Sequence, residues 1–265
     1  MRLYFQFVAN AVKSNTTYRI NTFFRLISEL MSLFVQVFIW KSLLKGGSAT
    51  SQVGSIRLDE MITYVVISLG ISILTSTDVI GELNNRIRSG GIAFDFIRPF
   101  SIKLNVLCAA VGQMIAAFII RFIPVFAVAL TVFDIGVPGI GDLCVFFAAA
   151  GLGFVLYLQI TYLVALSGFW YIEMWHMNRF LSDVIRIFSG AWLPLWFFPD
   201  ALYRVSSFLP FRLMYYFPIS VYLGKIGPDE TRKLLLQQVL WIAAVMLMSA
   251  LVWKSAQRKL VVQGG

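Results

Sequence analysis

The sequence predicts an all-α integral membrane protein, and three observations carry that class. Of 265 residues, 59% are hydrophobic and only 13% are charged, with a mean hydropathy of +0.80. A soluble domain averages about a quarter charged residues and could not cover so much apolar surface. The apolar residues gather into runs long enough for a hydrocarbon core of about 30 Å. The basic residues behind the net charge of +9 punctuate those runs instead of forming a patch. That is the pattern of positive-inside loops and not of a nucleic-acid surface. Cys108 and Cys144 both fall in apolar stretches with no paired Cys/His spacing, so two buried free thiols and no metal site are expected.

Residues 1–18 read as an interfacial amphipathic helix. Arg2, Gln6, Asn10, Lys13 and Thr17 form a polar stripe, with Tyr4, Val8, Ala11 and Val12 opposite. The segment lacks the unbroken apolar core and cleavage site of a secretory signal. A first span over 21–44 carries Arg25, Glu29 and Gln36. Arg25 and Glu29 lie four apart near its start, where they can pair or reach the interface. A Gly/Ser/Thr-rich loop over 45–56 follows, placed outside, and a second span covers 58–77.

Residues 78–100 are the long polar interruption of the first half. Leu83 and Ile87 share one face of a short helix, with Glu82, Arg86 and Arg88 turned elsewhere. Gly90-Gly91 stops that helix, and Arg98-Pro99 marks a second boundary. The plain reading is a cytoplasmic loop held in the headgroups; the sharper one is a docking element for a cytoplasmic partner.

The third span, 104–133, exceeds the roughly 20 residues a bilayer needs, so it must tilt, break or project. Pro124 permits a kink there, and Arg121 either snorkels to the interface or lines a cavity. The loop 134–142 has no Lys or Arg, which places it outside. The fourth span, 143–168, holds Gly151 and Gly153, small enough for close packing. His176, the one histidine, sits at the end of a span beside Trp175 and reads as an interfacial side chain.

Pro194, Pro199, Pro210 and Pro218 break the region 184–228, which is rich in Trp, Phe and Tyr. It reads as a fifth span followed by short re-entrant helices on the outer side over 199–228. A last span, 234–253, ends in a basic tail. Six spans with both termini cytoplasmic is the expected topology, and the internal excess of Lys and Arg is modest.

These features resemble one family. The amphipathic start, the loop reading Arg86-Ile87-Arg88-Ser89-Gly90 with Arg98-Pro99, the aromatic re-entrant region, the Gln238-to-Trp241 opening of the last span and Gly264-Gly265 look like permease subunits of bacterial ABC exporters. Within them the chain is similar to the six-span ABC-2-type branch, over nearly its whole length as one permease domain, 1–265. The resemblance implies a chain in the bacterial cytoplasmic membrane whose first internal loop is a coupling helix. Glu82, Leu83, Arg86, Ile87, Arg88, Gly90, Gly91, Arg98 and Pro99 would belong to it. It implies partners too: two copies of an ABC ATPase that holds ATP and Mg, a second permease identical or related to this one, and membrane lipid.

The sequence agrees by omission. It has no Gly-x-x-x-x-Gly-Lys-Ser/Thr loop, and one histidine leaves little for hydrolytic chemistry. No catalytic residue and no cofactor of its own are expected. The substrate expected is amphiphilic: a drug or antibiotic, a hydrophobic peptide or a lipid-like molecule. Two other classes remain, an ion-coupled secondary transporter and a membrane scaffold. For the former, Arg25, Glu29 and Arg121 are the candidate intramembrane groups.

Overall fold

The computed structural model describes residues 2–17, 19–45, 57–97, 101–171 and 173–263. All regular structure among them is helical. Helices suit a lipid-embedded chain, because each one bonds its backbone groups within the segment and leaves none facing hydrocarbon. Five stretches are long and apolar enough to cross a membrane: Ile20–Leu44, Leu58–Arg88, Ile102–Val132, Ile140–Phe169 and Pro228–Arg258.

Helix α1 (Arg2–Thr17) forms as its amphipathic pattern predicts, but it packs along α6 (Ile102–Ala117) instead of only resting on headgroups. Gly112 makes this possible. A Cβ there would come within 2.6 Å of both the Ala11 side chain and the Val8 carbonyl oxygen.

The first span is α2 (Arg19–Lys45) and the second is α3 (Leu58–Leu74), which continues past a turn at Thr75–Asp78 into α4 (Val79–Arg88) and α5 (Gly91–Ile97). The third is α6 and α7 (Ile123–Val132), joined by a π-helical turn at Phe118–Phe122. The over-long segment therefore breaks. Pro124 has no amide proton to give to residue 120, and the Ile123 amide bonds the Phe118 carbonyl in the wider register. α8 (Ile140–Ala165) is the fourth span.

The expected fifth span is replaced by pieces. α9 (Trp175–Phe188), α10 (Asp200–Phe208) and α11 (Tyr216–Tyr222) alternate with short 3-10 turns, and none reaches membrane length. Gly190, at φ 84°, stops α9. Pro194, Pro199, Pro210 and Pro218 each deny an amide donor to any continuous helix. α12 (Pro228–Gln263) is the last span.

Two cores result. The larger joins Leu33 and Val37 of α2, the buried face of α3 and Leu156 of α8 to Leu213, Phe217 and Ile219 of the broken region. The second sits at the α4 end of the bundle, where Val79, Ile80 and Leu83 pack with Val106, Tyr162, Leu166 and Ala256. Gly153 is buried against the backbone of Met214, as a close-packing residue should be, while Gly151 has open space beside it. The thiols differ from expectation: Cys108 is half-buried and Cys144 exposed on α8, because its position faces away from both cores.

Candidate functional site

Residues 78–97 fold into an elbow. Asp78 caps α4 by accepting from the Gly81 amide at 3.0 Å, and its own amide donates to Gln113 Oε1 at 2.9 Å. Glu82 lies in the first turn of α4 and Arg86 and Arg88 in the last, each sign matching the helix dipole. Gly90, at φ 71°, turns the chain into α5.

Arg86 locks the elbow. Its guanidinium reaches Glu82 at 2.7 Å, Asp95 at 3.2 Å and Asn105 Oδ1 at 3.4 Å, so one side chain ties α4 to α5 and α6. Arg88 pairs with Glu173 at 3.2 Å on the surface, where such pairs are worth little.

The apolar stripe of α4 faces inward. Leu83 is fully buried in the second core, and Ile87 packs partly buried against it. Neither is a free docking stripe, because α8 and its 3-10 extension Leu166–Phe169 already cover that face. What the elbow presents outward is on α5: Phe94 is 68% exposed and Ile97 is 82% exposed, three residues apart. Arg98 and Pro99 lie outside the described residues, as do Gly264-Gly265 and most of the 45–56 loop.

The intramembrane charges arrange themselves differently from the spacing of Arg25 and Glu29. Glu29 pairs with Arg121 at 2.6 Å, across from α2 to the π turn. The Arg121 guanidinium also donates to the Ser76 hydroxyl and, at 3.4 Å, to the Ile73 carbonyl. Arg121 is buried rather than snorkelling, and a buried cation requires this set of partners. Arg25 is exposed and lines a cavity of about 270 Å³ that also touches Arg121, Gln113 and Ser76. A larger cavity of about 420 Å³ shares Ser76 and runs up between α2, α3 and the C-terminal end of α9. His176 is exposed at the start of α9 with its ring against Trp175.

Two parts of this site escaped the sequence reading. Phe94 and Ile97 carried a signal in their i, i+3 spacing, but nothing local said that α4 would spend its apolar face inward. The serines at 28 and 32 and at 68, 72 and 76 repeat every four residues, the spacing of one helix face.

The sequence model of the family described as ABC-2 family transporter protein matches residues 19–264. A search for similar curated proteins finds no match. The family match covers nearly the whole chain, and the helices are those of a multi-pass membrane permease. A family of this kind works with an ABC ATPase. The chain belongs to the ABC-2 family of transporter proteins.

Proposed function

We propose that this chain is the membrane permease of an ATP-driven exporter in the bacterial cytoplasmic membrane, moving an amphiphilic substrate outward. Two ABC ATPase subunits bind ATP and Mg, and a second permease, identical or related, completes the central cavity. The observation that carries the reading is the elbow. Its α4 half is welded into the chain by Leu83 and Arg86, and its α5 half turns Phe94 and Ile97 outward. An element rigidly joined to α3 and offering a small apolar face is suited to take up motion from a soluble partner.

In this reading α9 and α11 together make a sixth, interrupted crossing, so both termini are cytoplasmic, and α10 dips back from the outer side. Supporting contacts follow the chain from one end of the bundle to the other. Asn178 of α9 reaches Asp78 beside the elbow, whereas Lys225, after α11, pairs with Glu60 at 2.7 Å at the opposite end of α3. An ion-coupled carrier would need a titrating group open to the ion. Glu29 is instead held by Arg121.

The test is co-purification of the chain with an ABC ATPase and reconstitution in vesicles. ATP hydrolysis that rises with the permease and falls when the elbow is altered supports the proposal. Nucleotide-free, proton- or sodium-driven transport overturns it.

A further inference from the structure

Two cavities share Ser76 as a wall residue, one touching Arg25 and Arg121 and the other Glu29 and Arg186. Along α2, Ser28, Ser32 and Gln36 recur every four residues, and along α3 and the turn after it Ser68, Ser72 and Ser76 do the same. The helices therefore turn two polar faces toward one space of about 420 Å³. Several of these groups are already engaged. The Ser68 hydroxyl donates to the Ala191 carbonyl at 2.8 Å, and the Gln36 amide donates to Ser32 Oγ at 3.0 Å. They make a polar, hydrogen-bonding wall and leave the sign of the site to the charges.

Those charges are lopsided. Arg25 lines the smaller cavity, Arg121 the smaller and Glu29 the larger, and Arg186 stands at the far wall of the larger. Arg186 lies 3.9 Å from Asp183, which Arg179 also approaches at 4.0 Å. With those neighbours included, Arg25, Arg121, Arg179 and Arg186 face Glu29 and Asp183, an excess of two positive charges. The Glu29–Arg121 pair is neutral as a unit, so the excess comes from Arg25 and from Arg179 and Arg186 over Asp183. Beside the polar wall the surface turns apolar at once: Trp192 is 63% exposed and Met31 is 66% exposed. A head of one kind and a tail of another would each meet their own environment.

We infer that the two cavities flanking Ser76 take the anionic head of a single- or double-chain amphiphile, its tail lying along α2 toward the lipid. This rests on the exporter reading and narrows its substrate class. It disfavours cationic drugs. After screening, one unit charge beside Arg186 corresponds to about a tenfold difference in half-maximal concentration.

The experiment uses the permease–ATPase complex in phosphatidylcholine vesicles, with ATP hydrolysis measured against three probes sharing a twelve-carbon tail: dodecyl phosphate, dodecyl maltoside and dodecyltrimethylammonium. The phosphate should stimulate at about tenfold lower concentration than the ammonium, and Arg186→Gln or Arg25→Gln should erase that preference. Equal response to the ammonium, or a preference that survives both substitutions, overturns the inference while leaving the exporter reading intact. Absence of an associated ATPase would remove the exporter reading itself. A response to phosphatidylglycerol alone, lost in Arg186→Gln, with none to dodecyl phosphate, assigns the cavity to a resident lipid and overturns a transported substrate. Efficient cross-linking of two permeases through Ser32→Cys, with no head-group preference, assigns it to a packing seam and also overturns the inference.

Discussion

The Gln238 side-chain amide donates to the Leu213 carbonyl at 2.8 Å and to the Ala149 carbonyl at 2.9 Å. One buried residue of α12 thereby serves the irregular turn Pro210–Leu213 and joins it to α8. Backbone that leaves the helix at membrane depth has to find partners inside the protein, and this side chain supplies one. Gln238→Leu should lower stability by about 1–3 kcal/mol, the cost of an unsatisfied buried carbonyl. Thermal unfolding in detergent would show it as a lower midpoint; an unchanged midpoint would mean the turn holds without this link.

The Glu29–Arg121 pair yields a sharper pattern than either residue alone. Arg121→Leu leaves a buried carboxylate without its cation and should cost about 3–5 kcal/mol. The double substitution Glu29→Leu with Arg121→Leu should recover much of that loss. If the double variant unfolds as readily as the single one, the two groups act independently.

Gly112 is the contact point of α1 with α6. Gly112→Leu should displace α1 while leaving the spans inserted, since overpacking costs about 1–3 kcal/mol and the helix has solvent and headgroups to move into. Trypsin cleavage at Lys13 in open membranes would then accelerate. Protection equal to wild type would show that α1 tolerates the side chain.

At the elbow, Phe94→Asp should weaken ATPase binding with no loss of permease stability, because Phe94 is exposed. Ile87→Asp should do both, since Ile87 abuts the second core. Pull-down of the ATPase together with a detergent unfolding midpoint separates the two. Normal binding by Phe94→Asp would place docking elsewhere.

Orientation can be read by thiol labelling in cells lacking the native cysteines. Gly139→Cys should react from outside, and Ser89→Cys only after permeabilisation. External reaction at Ser89 would invert the topology.

Much of the fold was legible in the sequence because hydropathy acts over whole spans. The elbow was legible too: Gly90 and Gly91 announced the break where α4 ends and α5 begins. What the sequence could not give was pairing across the bundle. Glu29 finds Arg121 through the π turn, and no local spacing relates residues so far apart. The orientation of α4 was not legible for the same reason, since an amphipathic helix declares an apolar face but not whether its own chain or a partner covers it. The broken fifth region was visible in its prolines, whereas its division into α9, α10 and α11 depended on where Gly190 stops the first piece.

That stop has a mechanical meaning. Below it, α9 is tied to the elbow through Glu173–Arg88 and Asn178–Asp78. At it, the Tyr64 hydroxyl donates to the Gly190 carbonyl at 2.6 Å and the Ser68 hydroxyl to that of Ala191. Above it, the chain restarts where the Tyr216 amide meets the Ser189 carbonyl. The arrangement is a jointed rod clamped at its middle to α3, so a push on its inner limb would swing that limb about the clamp without dragging the outer limb along.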